Sequence, residues 1–140
     1  MELPIRLLST TAKLPSYAHD SDAGMDLYAD DQIMIPAGER ALVKTGIALA
    51  IPVGQVGLVW DKSGIATKTG VTTLAGVIDA GYRGEILIAL LNTSSDHYTV
   101  QPGQKIAQLL IQPVQHVTLQ VVDQLAEATR GDNGFGSTGL

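Results

Sequence analysis

A single carboxylate, Asp79, closes the small apolar run from Ala75 to Ile78, and Gly81, Tyr82, Arg83, Gly84 and Glu85 follow shortly after it. Aspartate before Ala-Gly is ordinary hairpin chemistry, but a carboxylate at the rim of an apolar wall is also where a tuned general base is useful. Two more groups of residues raise the same question. Lys62, Ser63 and Gly64 are consecutive and offer a cation, a hydroxyl and backbone donors, which is the inventory of an anion site. The same three residues also suit a plain helix start with Ser63 as its N-cap. Asp26 stands inside the apolar pattern of residues 25–29, where a carboxylate has to be solvated, paired or close to a cation.

Other chemistries are excluded or unsupported. The chain has no cysteine, which removes disulfides, thiolate metal sites and cysteine nucleophiles. His19, His97 and His116 are far apart without metal-ligand spacing and read as surface or edge residues. A formal charge of -5 argues against nucleic acid or an anionic membrane as the main partner, because both reward a basic face. The first residues lack the basic end and unbroken apolar run of a signal peptide, and the long uncharged stretch Thr45 to Trp60 is interrupted by Pro52 and glycines. A soluble, cytoplasmic protein with no nucleic acid and no membrane partner is expected.

The elements that must position these residues are mostly strands. At 140 residues the chain has the size of one domain. It is 45% hydrophobic but only 4% aromatic, so its core must come from Val, Ile, Leu and Ala, which favours many short strands over a few long helices. Strand patterns occupy residues 5–8, 25–29, 32–36, 40–52, 56–60, 85–92, 105–114 and 117–122, separated by turn signals. Residues 85–92 are apolar at nearly every position, as in a strand buried on both faces or one that gives a face to another subunit. Short helices are expected over 63–68 and 122–130. The pattern predicts an all-β sandwich or barrel of the jelly-roll kind over residues 1–129.

Residues 130–140 differ. With four glycines between Arg130 and Gly139 they cannot build a core and are expected to stay mobile until a partner orders them. They mimic glycine-rich phosphate motifs, yet no helix can follow Gly139 to complete one. Arg130 has a fork suited to phosphate and Phe135 a flat face suited to a base, so a tail of this kind could close over a nucleotide.

Taken in order, the stretches AGMDLYA (23–29), DKSGIA (61–66), AGVIDAGYRGEI (75–86), PGQKIAQ (102–108) and RGDNGFGSTG (130–139) resemble the five motifs of the homotrimeric dUTP pyrophosphatase (dUTPase) family. The resemblance implies a β-clip jelly roll that hydrolyses dUTP to dUMP and pyrophosphate with Mg2+. It also implies a homotrimer in which one chain gives the first, second and fourth motifs of a site, another the uracil hairpin and a third the tail. Asp79 would then be the base for a water that attacks the α-phosphorus. Tyr82 would lie against the deoxyribose and leave no room for a 2′-hydroxyl. Gly76, Val77, Ile78 and Asp79 would read the uracil edge through their backbone, with Thr73 beside them. Lys62, Ser63 and Gly64 would hold the phosphates with help from Gln108, and Asp26 would orient water on the magnesium. Arg130 would take the γ-phosphate, Phe135 would stack on uracil, and Gly136 and Ser137 would add phosphate donors.

Three positions depart from the family pattern. Lys62 replaces the usual arginine and so trades a bidentate fork for a point charge. Gln104 and Lys105 replace an acidic residue and arginine, which weakens or removes any ion pair made there. Thr73 stands where asparagine is common. The alternatives are a dCTP deaminase-like enzyme, for which Glu85 is the only nearby glutamate base, and a non-catalytic trimeric nucleotide-binding module.

Overall fold

In a computed structural model, described for residues 1–129, 131 and 132, the strand patterns become ten strands and one helix. In chain order they are β1 (Ile5–Leu7), β2 (Met25–Tyr28), β3 (Ile33–Ile35), β4 (Arg40–Leu49), β5 (Gln55–Asp61), α1 (Ser63–Thr69), β6 (Val71–Leu74), β7 (Val77–Ile78), β8 (Glu85–Asn92), β9 (Tyr98–Val100) and β10 (Lys105–Pro113). They form two four-stranded sheets, ordered β1-β4-β8-β6 and β2-β10-β5-β7, and a two-stranded ribbon of β3 and β9. Every pairing is antiparallel. Consecutive strands thus repeatedly change sheet, the all-β jelly-roll-like arrangement expected from the sequence.

The core is aliphatic, as the composition requires. Leu27, Ile35, Val43, Ile47, Ile51, Ile88, Leu90, Ile106 and Leu109 are each at most 2% exposed and pack in one cluster drawn from both large sheets and the ribbon. Burial of such side chains contributes about 1.5–3 kcal/mol each. In β8 only alternate residues, Ile86, Ile88, Leu90 and Asn92, are buried, while Leu87 on the other face is 43% exposed. Within one chain this strand is therefore buried on one face, not on both.

Two expected elements are absent. Residues 114–129 contain neither the strand at 117–122 nor, among the described residues, the helix at 122–130. Both patterns are apolar enough to form elements, but in this chain they have nothing to lie on. Val117 is 73% exposed, Leu119 89%, Val121 99% and Leu125 89%.

Candidate active site

Asp79 sits in a hairpin built by unusual backbone. β7 pairs with β5, and just before it Ala75 and Gly76 both have positive φ, 61° and 115°. Gly76 is required there on two counts. An L side chain rarely adopts that φ, and a Cβ would lie 2.7 Å from the Val59 carbonyl oxygen. The close approach lets the Val59 amide donate to Gly76 O at 2.8 Å. Beyond β7 the turn ties itself together. The Tyr82 amide donates to Asp79 O and the Tyr82 hydroxyl to Glu85 O, both at 3.0 Å, while Arg83 donates to Ala80 O at 2.6 Å and Tyr82 O at 2.7 Å.

Asp79 is therefore both turn residue and cavity residue. Gly76, Val77, Ile78, Asp79 and Tyr82 line a cavity of about 280 Å³ closed by Val59 and β8. Within one chain the apolar rim is more open than the sequence suggests: Val77 is 68% exposed, and Asp79 itself is exposed. A second cavity, of about 330 Å³, is lined by Thr73, Gly76 and Val77 with Trp60 and Asp61.

Asp26 is paired rather than solvated. It is 2% exposed on β2, and two lysines reach it. Lys62 donates to Oδ1, and Lys105 Nζ lies 2.7 Å from Oδ2. Each oxygen of the buried carboxylate is thus occupied by a different ammonium group. Burial, the largest influence, pushes the Asp26 carboxyl up, but the contacts with Lys105 and Lys62 together outweigh it and hold it below its ordinary value. The bond to Asp26 raises Lys105 in turn. Lys105 thus makes an ion pair despite replacing the family arginine. Its neighbour Gln104 is held separately, accepting from the Gln101 amide at 2.9 Å and donating to the Tyr98 hydroxyl.

The phosphate candidates cluster nearby. Lys62, not Ser63, is the N-cap residue of α1, so the plain serine-cap reading of Ser63 does not hold. The first intrahelical bonds run from Ile65 and Ala66 to Lys62 O, which leaves the Ser63 and Gly64 amides ahead of the ladder and both residues exposed. Gln108 faces this turn through its amide, which donates to Asp61 O at 2.9 Å. Asp26, Lys62, Ser63, Gly64 and Gln108 line neither cavity. Asp61, which precedes Lys62 and accepts from Gln108, nevertheless lines the second cavity together with Gly76 and Val77.

Thr73 is engaged inside the chain. Its amide and hydroxyl both donate to Asp61 Oδ1, and the Thr72 hydroxyl donates to Oδ2 at 2.7 Å. Asp61 closes the segment that carries Lys62 to Gly64, yet sequence reasoning passed over it. So did Lys105 as a partner of Asp26. The only sequence signal for Asp61 was an acid ending an apolar strand, which is as common at an ordinary strand end. Glu85 is also occupied: its Oε1 accepts from the Gly46 amide at 2.9 Å. Arg130, Phe135, Gly136 and Ser137 lie outside the described residues. Among the described residues no three acidic or histidine side chains gather as a metal cage, and all three histidines are exposed.

Known proteins resemble this chain in sequence and in fold. A sequence model of the family described as dUTPase matches residues 10–139. A deoxyuridine 5'-triphosphate nucleotidohydrolase from Clostridium tetani is 48% identical over 139 residues, covering 98% of this chain and 96% of that protein. The Mycobacterium marinum enzyme of the same name is 48% identical over 134 residues, with 90% and 87% covered. A variant of the Staphylococcus bacteriophage 80alpha dUTPase solved with dUpNHpp superposes with a TM-score of 0.94 at 30% identity, over 99% of both chains. A variant of the phage phi11 dUTPase from S. aureus, described with a structural Mg(II) ion, gives 0.86 at 30% identity, over 91% of this chain and all of that one. Since the family match takes in all but the first nine residues and the last, and a relative shares nearly half its residues along almost the whole length, the chain belongs to the dUTPase family.

Proposed function

We propose that this dUTPase hydrolyses dUTP to dUMP and pyrophosphate through a water deprotonated by Asp79. The observation that carries the reading is the hairpin cavity, which places one exposed carboxylate beside Tyr82 and the backbone of Gly76 to Ile78. Its volume of about 280 Å³ suits a base and sugar. Water attacks the α-phosphorus, the bond to the bridging oxygen breaks, pyrophosphate leaves and Asp79 takes the proton. A base in this role contributes about a hundredfold to ten-thousandfold. Lys62, Ser63, Gly64 and Gln108 hold the phosphates, and Arg130 and Phe135 close over the nucleotide from a lid of residues 130–140 beyond the domain of residues 1–129.

Magnesium suits this donor set. With no protein cage among the described residues, the ion would be held mainly by phosphate and water, and the Asp26 carboxylate, open at Oδ1 once Lys62 turns to the phosphates, would accept from a metal-bound water. An ion held there would supply charge neutralisation at the phosphates. The chain's own contribution is Asp26, fixed by its lysines.

The working unit we propose is a homotrimer with shared sites. Exposed Leu42, Leu74, Val77 and Leu87 flank the hairpin cavity, and Val117, Leu119, Val121 and Leu125 project from the C-terminal segment. So much exposed aliphatic surface calls for a partner. An intracellular, soluble enzyme fits the absence, among the described residues, of any helix long and apolar enough to cross a membrane.

The test is pyrophosphate release from dUTP, dCTP, dTTP and UTP with magnesium, run beside Asp79→Asn. Turnover of dUTP alone, lost in Asp79→Asn while nucleotide binding persists, is expected. Intact dUTP with wild-type protein would overturn the activity, ammonia from dCTP would favour the deaminase, and normal turnover by Asp79→Asn would remove only the base assignment.

A further inference from the structure

We infer that Lys105 is a positioning residue for nucleotide binding: it retains the buried Asp26 carboxylate so that Lys62 can leave it for the phosphates. This rests on the reading of Lys62 as a phosphate ligand.

The geometry of the cluster carries the argument. Asp26 is almost fully buried, and its two oxygens each face a different lysine, Lys62 at Oδ1 and Lys105 at Oδ2. A buried carboxylate with a single cation holds that cation firmly, because withdrawing it leaves an uncompensated charge in a poorly solvated place. If Lys62 were the only partner of Asp26, each phosphate chain that bound would have to pull it away from the carboxylate. With Lys105 present, the cluster has two positive charges and one negative, so one lysine is in surplus.

Position decides which lysine is released. Lys62 is the N-cap of α1, immediately before the exposed Ser63 and the open amides that make up the rest of the phosphate group. Lys105 begins β10, whose register against β2 sets it opposite Tyr28 and sets Gln108 opposite Asp26. Lys105 therefore rises from the strand paired with the one that carries the carboxylate, whereas Lys62 rises from the turn that also presents the Ser63 and Gly64 amides. The chemistry of lysine also fits: a compact point charge can swing between two anions, where an arginine fork would be held by both oxygens of one.

The experiment is calorimetric titration with non-hydrolysable α,β-imido-dUTP in EDTA, so that neither turnover nor metal affects the readout. Wild type, Lys62→Met, Lys105→Met, Lys105→Arg, Asp26→Asn and the Lys105→Met/Asp26→Asn double variant are compared, each after a thermal unfolding check. Lys105→Met should weaken binding on the order of tenfold, since Lys62 is then retained by Asp26. Lys105→Arg should stay near wild type. The double variant should bind like Asp26→Asn alone, because once the carboxylate is gone nothing holds Lys62 back. An equal loss from Lys105→Met with and without Asp26→Asn would overturn the inference by showing that Lys105 meets the phosphates itself, and so would no loss at all. Undiminished binding by Lys62→Met would instead sink the underlying reading of Lys62. Should Lys105→Met fail to fold, Lys105→Gln replaces it in the same cycle.

Discussion

Asp61 Oδ1 accepts hydrogen bonds from both the amide and the hydroxyl of Thr73, each at 2.6 Å, so the chain from 61 to 73 is a loop closed at its neck. The Thr72 hydroxyl adds a bond to Oδ2. This joins the end of β5 in one sheet to β6 in the other. Asp61→Ala should cost about 2–4 kcal/mol in urea unfolding at neutral pH, since hydrogen bonds to a charged group contribute about 1.5–3 kcal/mol each and do not add fully. Burial, the largest influence, raises the Asp61 carboxyl, but the bonds from Thr73 and Thr72 together leave it below its ordinary value of 3.8. Asp26 shifts in the same direction. Because both folded values are depressed, the folded state binds fewer protons, and the stabilisation is fully present above about pH 4 and fades as the pH falls through the folded values. The gap between wild type and Asp61→Ala should therefore narrow in acid; a gap that widens below pH 4 would contradict the assignment.

Tyr82 separates two uses of one side chain. Its hydroxyl is bonded to Glu85 O and so holds the turn, while the residue also lines the cavity. Tyr82→Phe should lose about 1 kcal/mol of stability and keep its rejection of UTP. Tyr82→Ala should admit UTP. Steady-state rates on dUTP and UTP, with a melting curve for each variant, distinguish the two roles.

Gly76 has no tolerated replacement. A methyl group there would combine the strain of its positive φ with a 2.7 Å approach to Val59 O, pushing β7 off β5. Gly76→Ala should cost about 1–3 kcal/mol from backbone strain alone. Because the same residue lines both cavities, kcat/KM on dUTP should fall more steeply than stability does.

The exposed C-terminal segment should respond to charge in a graded way. Lysine at Val117 and Val121, which are 73% and 99% exposed in one chain, disrupts nothing within that chain. If these residues lie against a neighbour, light scattering will show the assembly falling towards monomer with activity lost in parallel. Deleting residues 130–140 should instead leave the assembly intact and remove only turnover.

What was legible in the sequence follows from the range of the interaction. The apolar pattern of residues 85–92 predicts β8 with the same boundaries, because its partners β4 and β6 lie within the chain. Residues 117–122 also carry an apolar pattern but form no strand, and Val117, Leu119 and Val121 stay exposed because nothing else among the described residues covers them. At the site, Asp26 announced itself as a carboxylate in an apolar strand, and the requirement for a cation followed. Which cations came to it did not, since Lys62 and Lys105 are brought there by a turn and by strand register. Asp61 was hidden for the same reason: its partners lie across the gap between sheets, where no local pattern points.

Helix α1 has no buried residue. Its hydroxyls turn back on its own carbonyls, Thr67 to Ser63 O at 2.7 Å and Thr69 to Ile65 O at 2.8 Å, and Gly70 ends it in a left-handed conformation. Yet it stands on the clasp between Asp61 and Thr73. Softness and rigidity therefore meet within a dozen residues. The crown of this loop can fray and re-form at little cost while its base stays shut, so amide protons from Ile65 to Thr69 should exchange with solvent far sooner than that of Thr73. A nucleotide arriving at Ser63 and Gly64 would meet a yielding lip on a fixed frame.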